Sequence, residues 1–249
     1  MLITFSLNTN ASTKWGATGH RVVGKIADTH LSSKAKREIR KLLKRKSLAF
    51  VSTFGDEIKS DKRYNKFYSW HYINMNLDEL YANADKNPDG DLITGIEYCK
   101  KIIKDKNASD EDKAFYLKLL IHFIGDMHQP MHIGRREDKG GNNIKLQWFY
   151  KDSNLHRVWD SEIIDSYGMG YVELAANADY LTKNQIKAIQ KGTLVDWVDE
   201  VHVLSNKIYA SAKSGENLRY QYSYEYLGTV RTQLQIAGIR LAKVLNDLF

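Results

Sequence analysis

Apolar positions recur every three or four residues along most of this chain, and that period predicts helices. In "HRVVGKIADTHL", Val22, Val23, Ile26 and Ala27 fall on one face. "SSKAKREIRKLLKRK" reads as a strongly basic surface helix whose charges form a solvated face. "DLITGIEYCKKIIKDK" is a further helix, with Cys99 beside Ile96 and Ile103 on its buried side. "SDEDKAFYLKLLIHFIGDMH" opens with Ser109 and Asp112 at capping-box spacing. It should stop near Gln129, because Pro130 disfavours helix in the residue before it. Helical patterns return in "NLHRVWDSEIIDSYG", "TKNQIKAIQ", "LVDWVDEVHVLSNKIYASA" and "EYLGTVRTQLQIAGIRLAKVLNDLF". Only "GGNNIKLQWFY" alternates, with Ile144, Leu146, Trp148 and Tyr150 against polar neighbours, and it predicts a strand after a Gly-Gly turn. Stretches 60–90 and 133–143 read as irregular. With no repeat, heptad series or low-complexity linker, the expected fold is mainly α, a single helical domain with a minor β-hairpin.

One of these helices does not read as simple core. "LLIHFIGDMHQPMHIG" sets His122, Asp126, His128 and His132 among apolar residues. His122 and Asp126 are four apart and share a helix face. An ionised aspartate in such surroundings is costly unless it is paired or metal-bound. The same spacing recurs in His156 and Asp160 of "NLHRVWD". His20 stands at the start of the first helix, His71 in the extended "FYSWHYIN" and Asp56 in "TFGDEIK". Several mononuclear sites or one polynuclear cluster could use these donors. Imidazole with carboxylate suits zinc, whereas calcium or magnesium sites lean on carboxylates and carbonyls. His128 points to another helix face than Asp126, and His30 and His202 read as structural or exposed.

Composition narrows the partners. The chain of 249 residues carries a net charge of +7, which favours anionic partners such as nucleic acid. Its 15 tyrosines and 5 tryptophans mostly serve packing, but they also offer flat faces on which bases can stack. No apolar run approaches the roughly 20 residues that span a bilayer. The single cysteine, Cys99, excludes an intramolecular disulfide and leaves metal binding to His, Asp and Glu.

The ordered set "WGATGH", "GDE", "WHYIN", "HFIGDMHQPMH", "GGNNI" and "NLHRVWD" closely resembles the zinc-dependent single-strand-specific nucleases and 3′-nucleotidases. These share their fold with bacterial zinc-dependent phospholipase C. The resemblance runs from about Trp15 to the last helix, so residues 15–249 are expected to form the nuclease domain. It implies a cleft holding three zinc ions. One would take Asp56, His71, His122 and Asp126. A second would take His20, Asp126 as a bridge, and the amine and carbonyl of Trp15. The third would take His132, His156 and Asp160.

The resemblance also implies roles in turnover. A closely spaced metal pair can activate water for in-line attack on phosphorus, with Asp56 and Asp126 in the catalytic set. Lys59 stands where the family usually has arginine and could stabilise charge on the phosphorane. Tyr72 takes the place of an aromatic that stacks on the base, and Asn74 and Asn142 lie where polar groups bond base edges. Asn74 replaces the aspartate of better-known members. The expected substrate is single-stranded DNA, RNA or a nucleotide, cut by a monomer without stable membrane association to leave 5′-phosphates. The alternative is a phospholipase C acting on lipid head groups; the positive charge, "WHYIN", "GGNNI" and Asp160 in place of glutamate favour nucleic acid. Residues 1–14 resemble the remnant of a secretory leader, with a small-residue cut site after Ala11. Since the family's Trp binds metal through a free α-amino group, processing between Lys14 and Trp15 is expected, in a secreted or periplasmic protein.

Overall fold

The computed structural model describes residues 16–249, so the expectations for the leader and for Trp15 lie outside the described residues. The fold is mainly α. The first half holds α1 (Ala17–His30), α2 (Ser33–Leu42), α3 (Leu48–Val51), α4 (Phe54–Glu57), α5 (Leu92–Lys104) and α6 (Asp110–Met127). Then come α7 (Leu155–Arg157), α8 (Ile163–Tyr167), α9 (Tyr171–Ala176), α10 (Lys183–Ile189), α11 (Leu194–Ser211) and α12 (Tyr220–Leu248). The strands are β1 (Ile73–Asn74), β2 (Ile133–Gly134), β3 (Lys145–Trp148), β4 (Lys151–Asn154) and β5 (Asn217–Leu218). No described helix is long and apolar enough to cross a membrane.

Helix α6 is the central pillar. Leu117, Leu119, Leu120, Ile121, Phe123, Ile124 and Met127 are fully buried, so its second half is apolar all round, as a helix enclosed by others must be. Helices α1, α2, α3, α4, α5, α11 and α12 all touch it. Each of those side chains contributes up to about 1.5–3 kcal/mol by leaving water. At its start the Ser109 hydroxyl accepts the Asp112 amide at 3.0 Å and donates to the Asp112 carboxylate at 2.7 Å. At its end the chain leaves the helix at His128, and Pro130 opens a 3₁₀ turn, Pro130–His132.

Two small sheets place loops around the pillar's end. β1 runs parallel to β2, with Ile73 opposite Ile133. That pairing brings His132, just before β2, beside His71, two residues before β1, whose carbonyl lies 2.8 Å from His132 Nδ1. β3 pairs antiparallel with β4 and parallel with β5, and Gly140 and Gly141 before it both take positive φ, 62° and 80°. Leu146 and Trp148 are buried as the alternation predicts, but Tyr150 does not belong to the strand. Phe149 and Tyr150, at φ 50° and 66°, form the two-residue turn to β4, the backbone hand that matches strand twist. Residues 62–71 are 3₁₀ helix rather than irregular, and the last helix starts at Tyr220, five residues before the apolar period becomes clear. The short α3, α4 and α9 show no readable period, because four to six residues complete fewer than two turns.

Candidate metal centre

Asp126, in the last turn of α6, is fully buried and receives side chains from four segments. His71 Nδ1 lies 2.7 Å and His122 Nε2 3.2 Å from its Oδ2. His20 Nε2 lies 3.4 Å and His132 Nδ1 3.3 Å from its Oδ1. His122 Nε2 is also 3.1 Å from His71 Nδ1 and 3.6 Å from Asp56 Oδ1. Farther along, His132 Nε2 lies 3.6 Å from Asp160 Oδ1. Three sets of donors can each converge on one point: His20, His122 and Asp126; Asp56, His71 and His122; and His132, His156 and Asp160.

Backbone carbonyls set the rings. His122 Nδ1 donates to Ser52 C=O at 2.7 Å, His132 Nδ1 to His71 C=O at 2.8 Å, and His156 Nδ1 to Gly140 C=O at 2.8 Å. A carbonyl can only accept, so Nδ1 holds a proton in each ring, and Nε2 is the atom left to bind a metal when the ring is neutral or to donate to a carboxylate when it is charged. This is the outer contact that orients metal-ligating histidines. His20 stacks on His122 at 4.0 Å, and His132 on His156 at 5.1 Å.

The donors fit a metal. Zinc bonds of about 2.0–2.1 Å in a tetrahedron imply donor separations of about 3.3 Å, and the donor pairs measured above within these sets lie 3.1 to 3.6 Å apart. Among the described residues, neither ring nitrogen of His20, nor Asp126 Oδ1, nor Asp160 Oδ2 has a hydrogen-bond partner, although all are buried. Each such atom costs about 1–3 kcal/mol if nothing binds it. Lying within the donor sets His20/His122/Asp126 and His132/His156/Asp160, these residues offer buried lone pairs that cations would satisfy.

The two buried carboxylates differ in their surroundings. Burial raises the Asp126 carboxyl, but the charges of His122, His132 and His71 and a hydrogen bond from His122 outweigh it and hold it well below the usual range. Burial pushes the Asp160 carboxyl well above that range, with Asp56 and Asp126 adding to the effect and His156 and Gln129 opposing it. A dication beside Asp160 would invert that balance.

The remaining expected residues fall into separate places. Lys59 pairs with the Asp56 carboxylate. Tyr72 and Asn74 line a cavity of about 250 Å³ together with Tyr81, Lys86, Pro88 and Arg136, and Tyr68 meets Tyr72 edge to face at 6.1 Å. Asn142 is not among the residues lining that cavity; its side-chain amide donates to Lys139 C=O at 2.8 Å. His128 is outside the centre. Its Nδ1 donates to Ile124 C=O at 2.8 Å and its Nε2 accepts from Arg240 at 3.3 Å. Burial and the Arg240 charge push its pKa down to about 3, so this ring stays neutral. His202 is buried between the carbonyls of Ile133 and Asn76, a structural role as expected. The Gly16 amide donates to Asp160 C=O at 2.6 Å, which ties the start of α1 to the segment bearing the third set.

Sequence reasoning missed the residues behind the donors. Gln129 donates to Asp160 Oδ1 at 3.1 Å. Asp138 accepts the Gly141 amide at 2.8 Å and the Tyr209 hydroxyl at 2.9 Å and pairs with Arg135 at 2.6 Å, bracing the loop whose Gly140 carbonyl holds His156. Gly55 lets α4 press against His122; a Cβ there would stand 2.4 Å from the ring. An aspartate in "REDKGG" beside a double glycine was the one available signal for the loop brace.

Comparison with known proteins agrees with this geometry. The family model described as S1/P1 Nuclease matches residues 15–249. Endonuclease 2 of Arabidopsis thaliana is 29% identical over 94% of this chain and 90% of its own length. Nuclease P1 of Penicillium citrinum is 25% identical, over 94% of this chain and 97% of that protein. Nuclease S1 of Aspergillus oryzae is 28% identical over 76% of this chain and 69% of its own. With a buried His/Asp centre and a family match that spans every described residue, the chain belongs to the S1/P1 nuclease family, whose members are hydrolases of phosphodiester bonds.

Proposed function

We propose that this chain is a tri-zinc, single-strand-specific endonuclease. It hydrolyses DNA and RNA to 5′-phosphorylated products and removes 3′-phosphates from nucleotides. The observation that supports this most is Asp126, a single buried carboxylate whose two oxygens face different histidines. In this reading Asp126 would serve two ions. Asp56, His71 and His122 would complete one set, His20 and the Trp15 amine and carbonyl the second, and His132, His156 and Asp160 would hold a third ion. Zinc bound there would supply activated water and positive charge at the phosphate.

The chain's own residues do the rest. The carbonyls of Ser52, His71 and Gly140 fix the rings of His122, His132 and His156, so these three donors need not reorganise during turnover. The Lys59 ammonium, anchored on Asp56, stands where it offsets charge growing on phosphoryl oxygens. Tyr72 presents a face to a base and Asn74 a donor and an acceptor to its edge. Asn142 joins them only after releasing Lys139. A stacked base must first leave a duplex, which is the physical reason for a single-strand preference. The enzyme acts as a monomer, secreted or periplasmic, after release of the segment before Trp15.

The test is direct. Purified zinc-loaded protein is given single-stranded DNA, duplex DNA, RNA, a 3′-nucleotide and phosphatidylcholine. Single strands cut to 5′-phosphate ends, with three zinc ions per chain by elemental analysis, are the expected result. Lipid turnover without nucleic-acid cleavage overturns the reading in favour of a phospholipase C.

A further inference from the structure

The excess positive charge of this chain is concentrated on α2 and the turn that follows it. Between Lys34 and Lys46 stand eight lysines and arginines and one acid, Glu38, a surplus of seven. That equals the net +7 of the whole chain, so all other residues balance at twenty-nine of each sign. All eight cationic side chains are exposed, while Ala35, Ile39 and Leu43 turn inward. Among the described residues only Arg37 of the eight lies within ion-pair distance of a carboxylate, that of Glu38. Like charges this close destabilise a helix. A favourable helix dipole accounts for the cations of the last turn and not for the rest.

The end of α2 makes the same point through its backbone. Lys44 and Arg45 take positive φ, 48° and 65°, and the Arg45 amide closes on Arg40 C=O at 2.8 Å. Glycine or asparagine occupies such left-handed positions at least cost. Here two cations occupy them, so charge is kept at the expense of conformation.

The surface then continues toward the metal centre. Lys46 Nζ sits 5.2 Å over the ring of Phe50, which is 61% exposed. Lys118 Nζ sits 3.7 Å over Phe54, at the start of α4, the helix that bears Asp56. Burial and the nearby Lys46 charge lower the Lys118 pKa, with Glu57 opposing, which places the two ammonium groups within each other's field. Cations alternate with aromatic rings from the end of α2 to α4, the helix that bears Asp56, and that combination suits a single strand.

We propose that α2 and the Lys44–Lys46 turn bind the phosphate backbone of a polynucleotide strand beyond the segment being cut. This rests on the nuclease reading above. An anionic membrane is the weaker fit, because a helix lying on lipid exposes an apolar face and the apolar face of α2 is buried.

Two variants test it. Lys44→Glu/Arg45→Glu/Lys46→Glu should raise KM for a 40-nucleotide single strand about tenfold and lower its salt slope by about 2, since each phosphate contact contributes about 0.7. Its kinetic constants on a dinucleotide should stay at the parent value. Lys44→Gly/Arg45→Gly should keep or raise Tm, because glycine relaxes the left-handed turn, and still weaken long-strand binding. Equal effects on both substrates, or none on the long strand, overturn the proposal. So does loss of binding to phosphatidylserine vesicles with strand binding intact. Binding of a hydrolysis-resistant phosphorothioate strand is measured in parallel. If the parent cuts nothing but the triple variant still binds this strand more weakly, the surface stands and only the nuclease reading fails.

Discussion

Gly55→Ala places a methyl group where α4 meets the pillar. The new Cβ would stand 2.4 Å from Cδ2 and 2.7 Å from Cγ of His122, while ordinary contact begins at 3.4 Å, so the ring must retreat by about 1.0 Å. It has little room. His20 is stacked on its face at 4.0 Å, and Nδ1 is held by Ser52 C=O at 2.7 Å. Metal–ligand distances tolerate about ±0.2 Å, so a retreat of this size removes His122 from any ion it serves. Overpacking costs about 1–3 kcal/mol of stability. Disturbing the support of a single ligand lowers metal affinity about 10–100-fold, or about 1.4–2.8 kcal/mol, and losing the ligand costs at least that. The assay is zinc per chain after dialysis against graded chelator, with circular dichroism to confirm folding. At least one ion should be lost at chelator concentrations the parent withstands, while the set of His132, His156 and Asp160 keeps its ion. Parent-like zinc content and affinity in a folded Gly55→Ala protein would refute the placement of His122 as a ligand.

Other substitutions probe other parts. Asp126→Asn keeps shape but removes the shared charge; zinc content should fall and hydrolysis should drop to background, and retained turnover rejects the bridging role. Asp138→Asn weakens the brace of the Gly140 loop, so the third set should lose about 10–100-fold in zinc affinity while the other two sets keep theirs; equal affinity at all three in competition titrations counts against this. His128→Asn should leave zinc content unchanged and cost about 1–3 kcal/mol in urea unfolding through the lost buried hydrogen bonds; loss of zinc would move His128 into the centre. For Asp28, burial raises the carboxyl pKa, with Lys36 and Lys25 partly offsetting it. The folded state therefore holds this proton more tightly than the unfolded chain, and stability is lost as pH rises through the raised pKa. Asp28→Asn should be the more stable protein at pH 7 and lose that advantage below the unfolded value; a gap that does not change with pH removes Asp28 as its source.

The donors were legible in the sequence because each is an expensive residue in a costly place. A histidine and an aspartate among leucines and isoleucines need an explanation wherever they stand, which singles out His122 and Asp126; His156 and Asp160 stand out because they repeat the same spacing. What holds those donors was not legible. Ser52, His71 and Gly140 act through their carbonyls, which every residue has, so no side chain announces them. Asp138 and Gln129 looked like ordinary polar residues of a loop, and their burial follows only from the path of chain segments far apart in sequence. For His128 the spacing shows only that it faces away from Asp126; its partner Arg240 stands 112 residues away, beyond what local pattern can show.

The two His/Asp pairs at spacing four also reach their geometry by different routes. For His122 and Asp126 the spacing works as α-helical periodicity requires, within the continuous helix Asp110–Met127. His156 and Asp160 do not share such a helix. The three-residue α7 passes into a π-helical turn, Val158–Glu162, where the Ile163 amide bonds to Val158 C=O. A π turn takes an extra residue into the ring, and such turns gather at functional positions. Here the wider turn buries Trp159, whose indole N–H reaches the Tyr222 hydroxyl at 2.9 Å, together with its neighbour Asp160. The same turn thus carries one packing residue and one donor: Trp159 reaches Tyr222, while Asp160 Oδ1 stands 3.6 Å from His132 Nε2.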